Sequence, residues 1–189
     1  NALNHELILQ IGEIVAGLKK NRRIQGRPVQ ALIVRGSGRA FVAGADVTEF
    51  YGQPAERIEA IAMLNIRLFD AIESLKIPVV ALLDGFTLGG GNELAMSAHY
   101  RIVTENARIG QPEVKLGIIP GYGGMQRLPR LVGPVAAAAL SINGEPIDGR
   151  EAVSMGLADQ LAPASAALLS AFQTAQDLAA GKKKHPAKD

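Results

Sequence analysis

A chain of 189 residues, 48% hydrophobic and 20% charged, is long enough to bury about two-thirds of its unfolded surface around one core, and its composition is far from that of disordered or fibrous chains. The net charge is +2, but residues 182–189 hold four lysines and one aspartate, so residues 1–181 carry a net −1; no basic groove for a phosphate backbone is evident, and nucleic-acid binding is not expected. Zero cysteines exclude disulfides and thiolate catalysis, and the absence of both a leader sequence and an apolar run of about 18 residues gives the expectation of a soluble protein without a membrane partner, cytoplasmic or, in a eukaryote, in the mitochondrial matrix.

Leu3, Leu7, Ile11, Ile14, Val15 and Leu18 recur at helical spacing, which predicts an amphipathic helix over the first twenty residues. A basic linker follows at residues 21–27, then a short apolar run at residues 30–35 that reads as a buried strand closed by Gly36, Ser37 and Gly38. Residues 39–46 read as a loop. After Pro54, the stripe Ile58, Ile61, Leu64, Leu68 and Ile72 predicts a long helix, and Val79 to Leu83 a strand. A second loop carries Gly89, Gly90 and Gly91 into a helix that starts near Asn92. Residues 100–104 and 107–110 read as strands, residues 117–133 as a glycine- and proline-rich loop, residues 135–140 as a small-residue helix, and residues 157–161 as a last strand. Strands alternating with helices make this an α/β domain without a fixed-period repeat. Residues 1–181 are expected to form it, with residues 182–189 as a solvated basic tail or linker.

Three glycines in a row lose much backbone entropy on folding. Between a strand and a helix they serve either a tight turn or the close approach of a ligand to free helix-terminal N–H groups. Glu93, two residues on, is either a capping carboxylate or a chemical group. Glu113, near Ile109, Val114, Leu116 and Ile118, is either a surface turn residue or a desolvated carboxyl with a raised pKa, suited to proton transfer. His5, His99 and His185 offer no pattern for catalysis, no serine-nucleophile elbow is present, and no histidine or cysteine pair suggests a metal.

Taken in order, GRAFVAGAD at residues 38–46, LGGGNELA at residues 88–95 and GQPEVKLGIIPGYGGMQRL at residues 110–128 resemble the crotonase superfamily, the enoyl-CoA hydratase/isomerase family; NALN at residues 1–4 and GREA at residues 149–152 also fit. The resemblance implies a spiral of ββα units, an oxyanion hole made by the backbone N–H groups of Ala45 and Gly90, and an acid–base pair in Glu93 and Glu113. Substrate contacts are implied at Ala43, Gly44, Asp46, Gly89 and Gly121. The implied substrate is an acyl-CoA thioester, with coenzyme A entering as part of the substrate and no separate cofactor or metal. Both glutamates together favour hydration. Double-bond isomerisation, hydrolytic ring opening, membership of a multifunctional fatty-acid oxidation protein and a catalytically silent binding role are the alternatives. On the resemblance, the family's strand before Asn1 is expected to lie outside these 189 residues, and its C-terminal helical region is expected to be short or missing in them. Assembly into a trimer or hexamer is implied where that region is complete.

Overall fold

The computed structural model describes residues 1–184. Asn4 opens the first helix, α1 (His5–Asn21), its side chain accepting from the Leu7 N–H at 2.9 Å, and Ile8, Val15 and Leu18 form its buried face. The basic linker is not featureless: β1 (Arg23–Ile24) and β2 (Arg27–Pro28) pair as a small hairpin, with Gln25 and Gly26 at positive φ in the turn.

The rest of the chain repeats one motif. Strands β3 (Leu32–Arg35) and β4 (Ala40–Val42) lead to α2 (Ala55–Glu73); β5 (Val79–Leu83) and β6 (Phe86–Leu88) lead to α3 (Gly90–Ser97); β7 (Tyr100–Thr104) and β8 (Arg108–Gly110) lead through a 3-10 turn (Pro112–Leu116) to α4 (Gly124–Val132). The first strand of each pair joins one parallel sheet and the second strand joins another. This is a spiral of ββα turns, a structural repeat whose side chains differ too much from turn to turn to show as a sequence period. Helix α5 (Pro134–Asn143), strand β9 (Ile147–Asp148), helix α6 (Gly149–Ser154) and strand β10 (Gln160–Ala162) complete the sheets, in the orders β10-β7-β5-β3 and β4-β6-β8-β9.

All five residues of β5 are buried, as expected for a central parallel strand covered on both faces. Val79, Ala81 and Leu83 point into the main core with α1, α2 and α3, whereas Val80 and Leu82 alternate to the opposite face. There they meet Ala167, Ala171, Ala175 and Leu178 of α7 (Ala167–Ala179). The sequence pattern does not mark α7, because a stripe of alanines has weak hydrophobic contrast. The last strand begins later than expected, at Gln160. Asp159 just before it accepts from the Arg101 N–H at 2.6 Å and forms a buried ion pair with the Arg101 guanidinium at 3.0 Å.

The start of the lysine tail is not wholly solvated. The Lys183 ammonium sits 4.3 Å from the centre of the Tyr100 ring and donates to Gln160 at 3.2 Å. The remainder of the expected tail, residues 185–189 with His185, lies outside the described residues.

Candidate active site

The first loop is braced by the N-terminal residues. Asn1 donates from its side chain to the carbonyls of Ser37 and Ala40, both at 2.7 Å, and its own carbonyl accepts from Ala43 at 2.8 Å. Leu3 donates to Gly44 and accepts from Asp46. Gly44 takes φ 126°, a conformation open to glycine. Among the described residues, no acceptor is bonded to the Ala45 N–H, which lies between these two clamps. The Asp46 side chain turns to local work: it accepts from the Thr48 N–H at 3.1 Å and hydroxyl at 2.6 Å, which holds its pKa below the usual carboxylate range. It caps the 3-10 turn Val47–Glu49 and does not line the cavity, in contrast to the contact expected for it.

The glycine triplet forms the second wall. A Cβ on Gly91 would lie 2.2 Å from the Val42 carbonyl oxygen, so only glycine lets the first turn of α3 press against the end of β4. Gly90 is the first residue of α3, and its N–H has no partner within the helix. Gly89, at φ 52°, abuts the second glutamate: a Cβ there would lie 2.9 Å from Glu113 Oε1.

Glu93 is only 1% exposed. Its Oε1 accepts from the N–H groups of Tyr122 at 2.8 Å and Gly124 at 2.6 Å. Gly124 begins α4, so the carboxylate occupies the positive end of that helix. This explains why a helix forms inside the segment expected to be a glycine- and proline-rich loop. Burial nevertheless dominates and pushes the Glu93 pKa up from 4.5 to about 7; the two N–H donors and Arg127 oppose the rise, while Glu113 adds to it. Burial also raises the pKa of Glu113, whose Oε2 is enclosed with no hydrogen-bond partner.

Both carboxyls line one cavity of about 570 Å³, together with Ala43, Gly44, Ala45, Gly89, Gly90 and Gly121. Every expected site residue except Asp46 is thus brought to one place. Val47, Phe50, Ile58 and Ala62 supply apolar wall, as do Leu116, Ile118 and Ile119. Two further residues, which the sequence pattern does not mark, shape the site. Tyr122 lines the cavity and packs edge-on against Phe69, with ring centres 6.2 Å apart. Arg127 is buried behind it. Their signal was present in the GYGGMQR stretch, but spacing alone does not say which groups a left-handed glycine turn will aim at a distant helix. His99 is structural: Nδ1 accepts from the Val79 N–H at 3.0 Å and Nε2 lies 2.9 Å from the Glu73 carbonyl. No group of three or more potential metal ligands occurs among the described residues, and no helix there is long and apolar enough to cross a membrane.

A cavity lined by two unpaired amides, one from each loop, and by two carboxyls of raised pKa can stabilise a developing oxyanion while it moves protons. The family model described as enoyl-CoA hydratase/isomerase matches residues 1–188. A crotonyl-CoA hydratase from Syntrophomonas wolfei is 43% identical over 162 residues, covering 85% of this chain and 60% of the relative. A short-chain-enoyl-CoA hydratase from Clostridium acetobutylicum is 37% identical over 179 residues, 94% of this chain and 67% of the relative. The crystal structure of an enoyl-CoA hydratase from Bacillus anthracis superposes with a TM-score of 0.87 at 32% identity, covering 94% of this chain and 67% of that one. The chain therefore spans about three-fifths to two-thirds of the length of these relatives.

Proposed function

The chain belongs to the enoyl-CoA hydratase/isomerase family, and on that premise we propose that it adds water across the C2–C3 double bond of a 2-enoyl-CoA thioester. The observation that carries this reading is the pair of buried carboxyls, Glu93 and Glu113, facing one cavity. In the proposed reaction the thioester oxygen accepts from the Ala45 and Gly90 N–H groups. Each such donor, aimed at charge that grows in the transition state, contributes about 3–4 kcal/mol. Water bonds through oxygen to C3 and gives its proton to one carboxyl; the other carboxyl gives a proton to C2. One proton enters the pair and one leaves, so the pair ends with the proton count it began with.

Isomerisation moves a proton between carbon atoms and needs no activated water. A second buried carboxyl therefore favours hydration. Coenzyme A would enter with the substrate and no separate cofactor is needed, since the two carboxyls and two amides supply the acid, the base and the electrophilic contact. The apolar wall from Val47, Phe50, Ile58 and Ala62 suits an apolar acyl chain. The absence of cysteine supports a reducing compartment, the cytoplasm or, in a eukaryote, the mitochondrial matrix; the family resemblance supports assembly into trimers or hexamers by a chain with a complete C-terminal region, which light scattering on the purified chain checks. Incubation with 2-enoyl-CoA thioesters of increasing length tests the function. The 3-hydroxyacyl-CoA should form with a preference for one range of lengths, whereas recovery of only shifted double bonds would move the assignment to isomerisation.

A further inference from the structure

Arg127 has no place in the proton transfers above, yet its guanidinium is 5% exposed and takes part in contacts on both sides. On one side, Nε donates to Glu73 at 3.0 Å and a terminal nitrogen pairs with Asp70, both on α2. On the other, a second terminal nitrogen donates to the Tyr122 carbonyl at 3.3 Å. The same nitrogen lies so close to Gly123, at φ 99°, that a Cβ there would be 2.3 Å away. Tyr122 and Gly124, on either side of Gly123, are the residues whose N–H groups grip Glu93.

We propose that Arg127 is a positioning residue for Glu93: its guanidinium fork ties the turn formed by Tyr122, Gly123 and Gly124 to α2, and so holds the two amides that orient the carboxylate. A planar fork suits this role because it can reach two carboxylates and a carbonyl at fixed angles. An ammonium ion supplies charge without that geometry. The charged and titratable groups around Glu93 are Glu113 from the 3-10 turn, the Tyr122 phenol, Arg127 from α4, and the Asp70 and Glu73 carboxylates that face Arg127 from α2. With Arg127 gone, Glu93 loses a nearby cation and a firm pair of N–H donors, and both losses favour its protonated form.

The proposal rests on Glu93 belonging to the acid–base pair, and the experiment separates the two claims. Arg127→Met and Arg127→Lys are compared with the parent by circular dichroism, by the pH profile of enoyl-CoA hydration, and by carbon NMR titration of the labelled Glu93 carboxyl. Asp70 and Glu73 are partly exposed, with side chains 63% and 33% accessible, so the methionine variant leaves no charge stranded in the core. Folded Arg127→Met should lose about tenfold or more in kcat with KM within about threefold. Its Glu93 titration, and one limb of the rate profile, should move up by about one pH unit. Arg127→Lys should restore most of the titration and only part of kcat. If folded Arg127→Met titrates Glu93 within about 0.3 unit of the parent, the positioning role is wrong even if the rate falls. A parent that hydrates no enoyl-CoA would remove the functional reading alone, because the titration still reports whether Arg127 controls Glu93.

Discussion

Replacing Glu93 by Gln should slow turnover by orders of magnitude and stabilise the protein, and the stabilisation should depend on pH in one direction. Glutamine keeps an acceptor oxygen for the Tyr122 and Gly124 N–H groups but cannot ionise. In the parent, burial raises the folded-state pKa of Glu93 from 4.5 to about 7, so between those values the folded protein holds a proton that the unfolded chain has lost. The associated stability is fully present below about pH 4.5 and is lost as pH rises through 7. At about 1.4 kcal/mol per unit, the whole window amounts to about 3 kcal/mol. The advantage of Glu93→Gln over the parent should therefore be small at pH 4.5, grow to about 3 kcal/mol near pH 8.5 and then level off. Hydration should fall by about 10²–10⁴ at every pH, because one partner in proton transfer is gone. Urea unfolding of both proteins across that range reads the first effect and steady-state hydration reads the second. A stability gap that does not change with pH, or a variant less stable than the parent at pH 8.5, would refute the claim that burial governs Glu93.

Asp159→Ala should cost about 3–5 kcal/mol in urea unfolding, since it leaves the Arg101 guanidinium buried without its anion; a loss below 1 kcal/mol would mean that the Leu157 and Ala98 carbonyls suffice to hold it. Gly91→Ala should force α3 away from Val42, with about 1–3 kcal/mol of destabilisation and a loss of turnover, and a variant with parental melting and rate would disprove the close approach. Lys183→Ala should lose about 0.5–1 kcal/mol from its contact with the Tyr100 ring, against little change for Lys182→Ala; equal effects would return Lys183 to the solvated tail.

Periodicity made the larger elements legible. The stripes of α1 and α2, and the continuous apolar run of Val79 to Leu83, are strong local signals, and the structure has each where the sequence indicates. The candidate site was legible through the family resemblance: three glycines before Glu93, and Glu113 beside apolar residues, each leave a structural and a chemical reading open, and it is the three motifs in order that favour the chemical one. What escaped depends on distant partners. Helix α4 starts at a pair of glycines that local propensity reads as breakers, and it starts there because Glu93, far back in the chain, meets its first amide. Asp46 sits in the right loop, but Thr48, two residues on, captures its carboxylate. A Cβ on Gly90 would face the Tyr122 ring at 3.0 Å and Leu3 at 3.4 Å. Bulk there would first disturb packing, which no spacing rule foretells.

The most direct test of the central claim is to incubate the chain with crotonyl-CoA in ¹⁸O-labelled water and follow the product by mass spectrometry, for the parent and for Glu113→Gln. The parent should form a 3-hydroxyacyl-CoA carrying one labelled oxygen, and Glu113→Gln, which keeps the cavity's shape but cannot exchange a carboxyl proton, should form it at least about a hundredfold more slowly. Recovery from the parent of unsaturated thioester alone, with no labelled 3-hydroxyacyl-CoA, or turnover by folded Glu113→Gln within threefold of the parent, would contradict the proposed hydration.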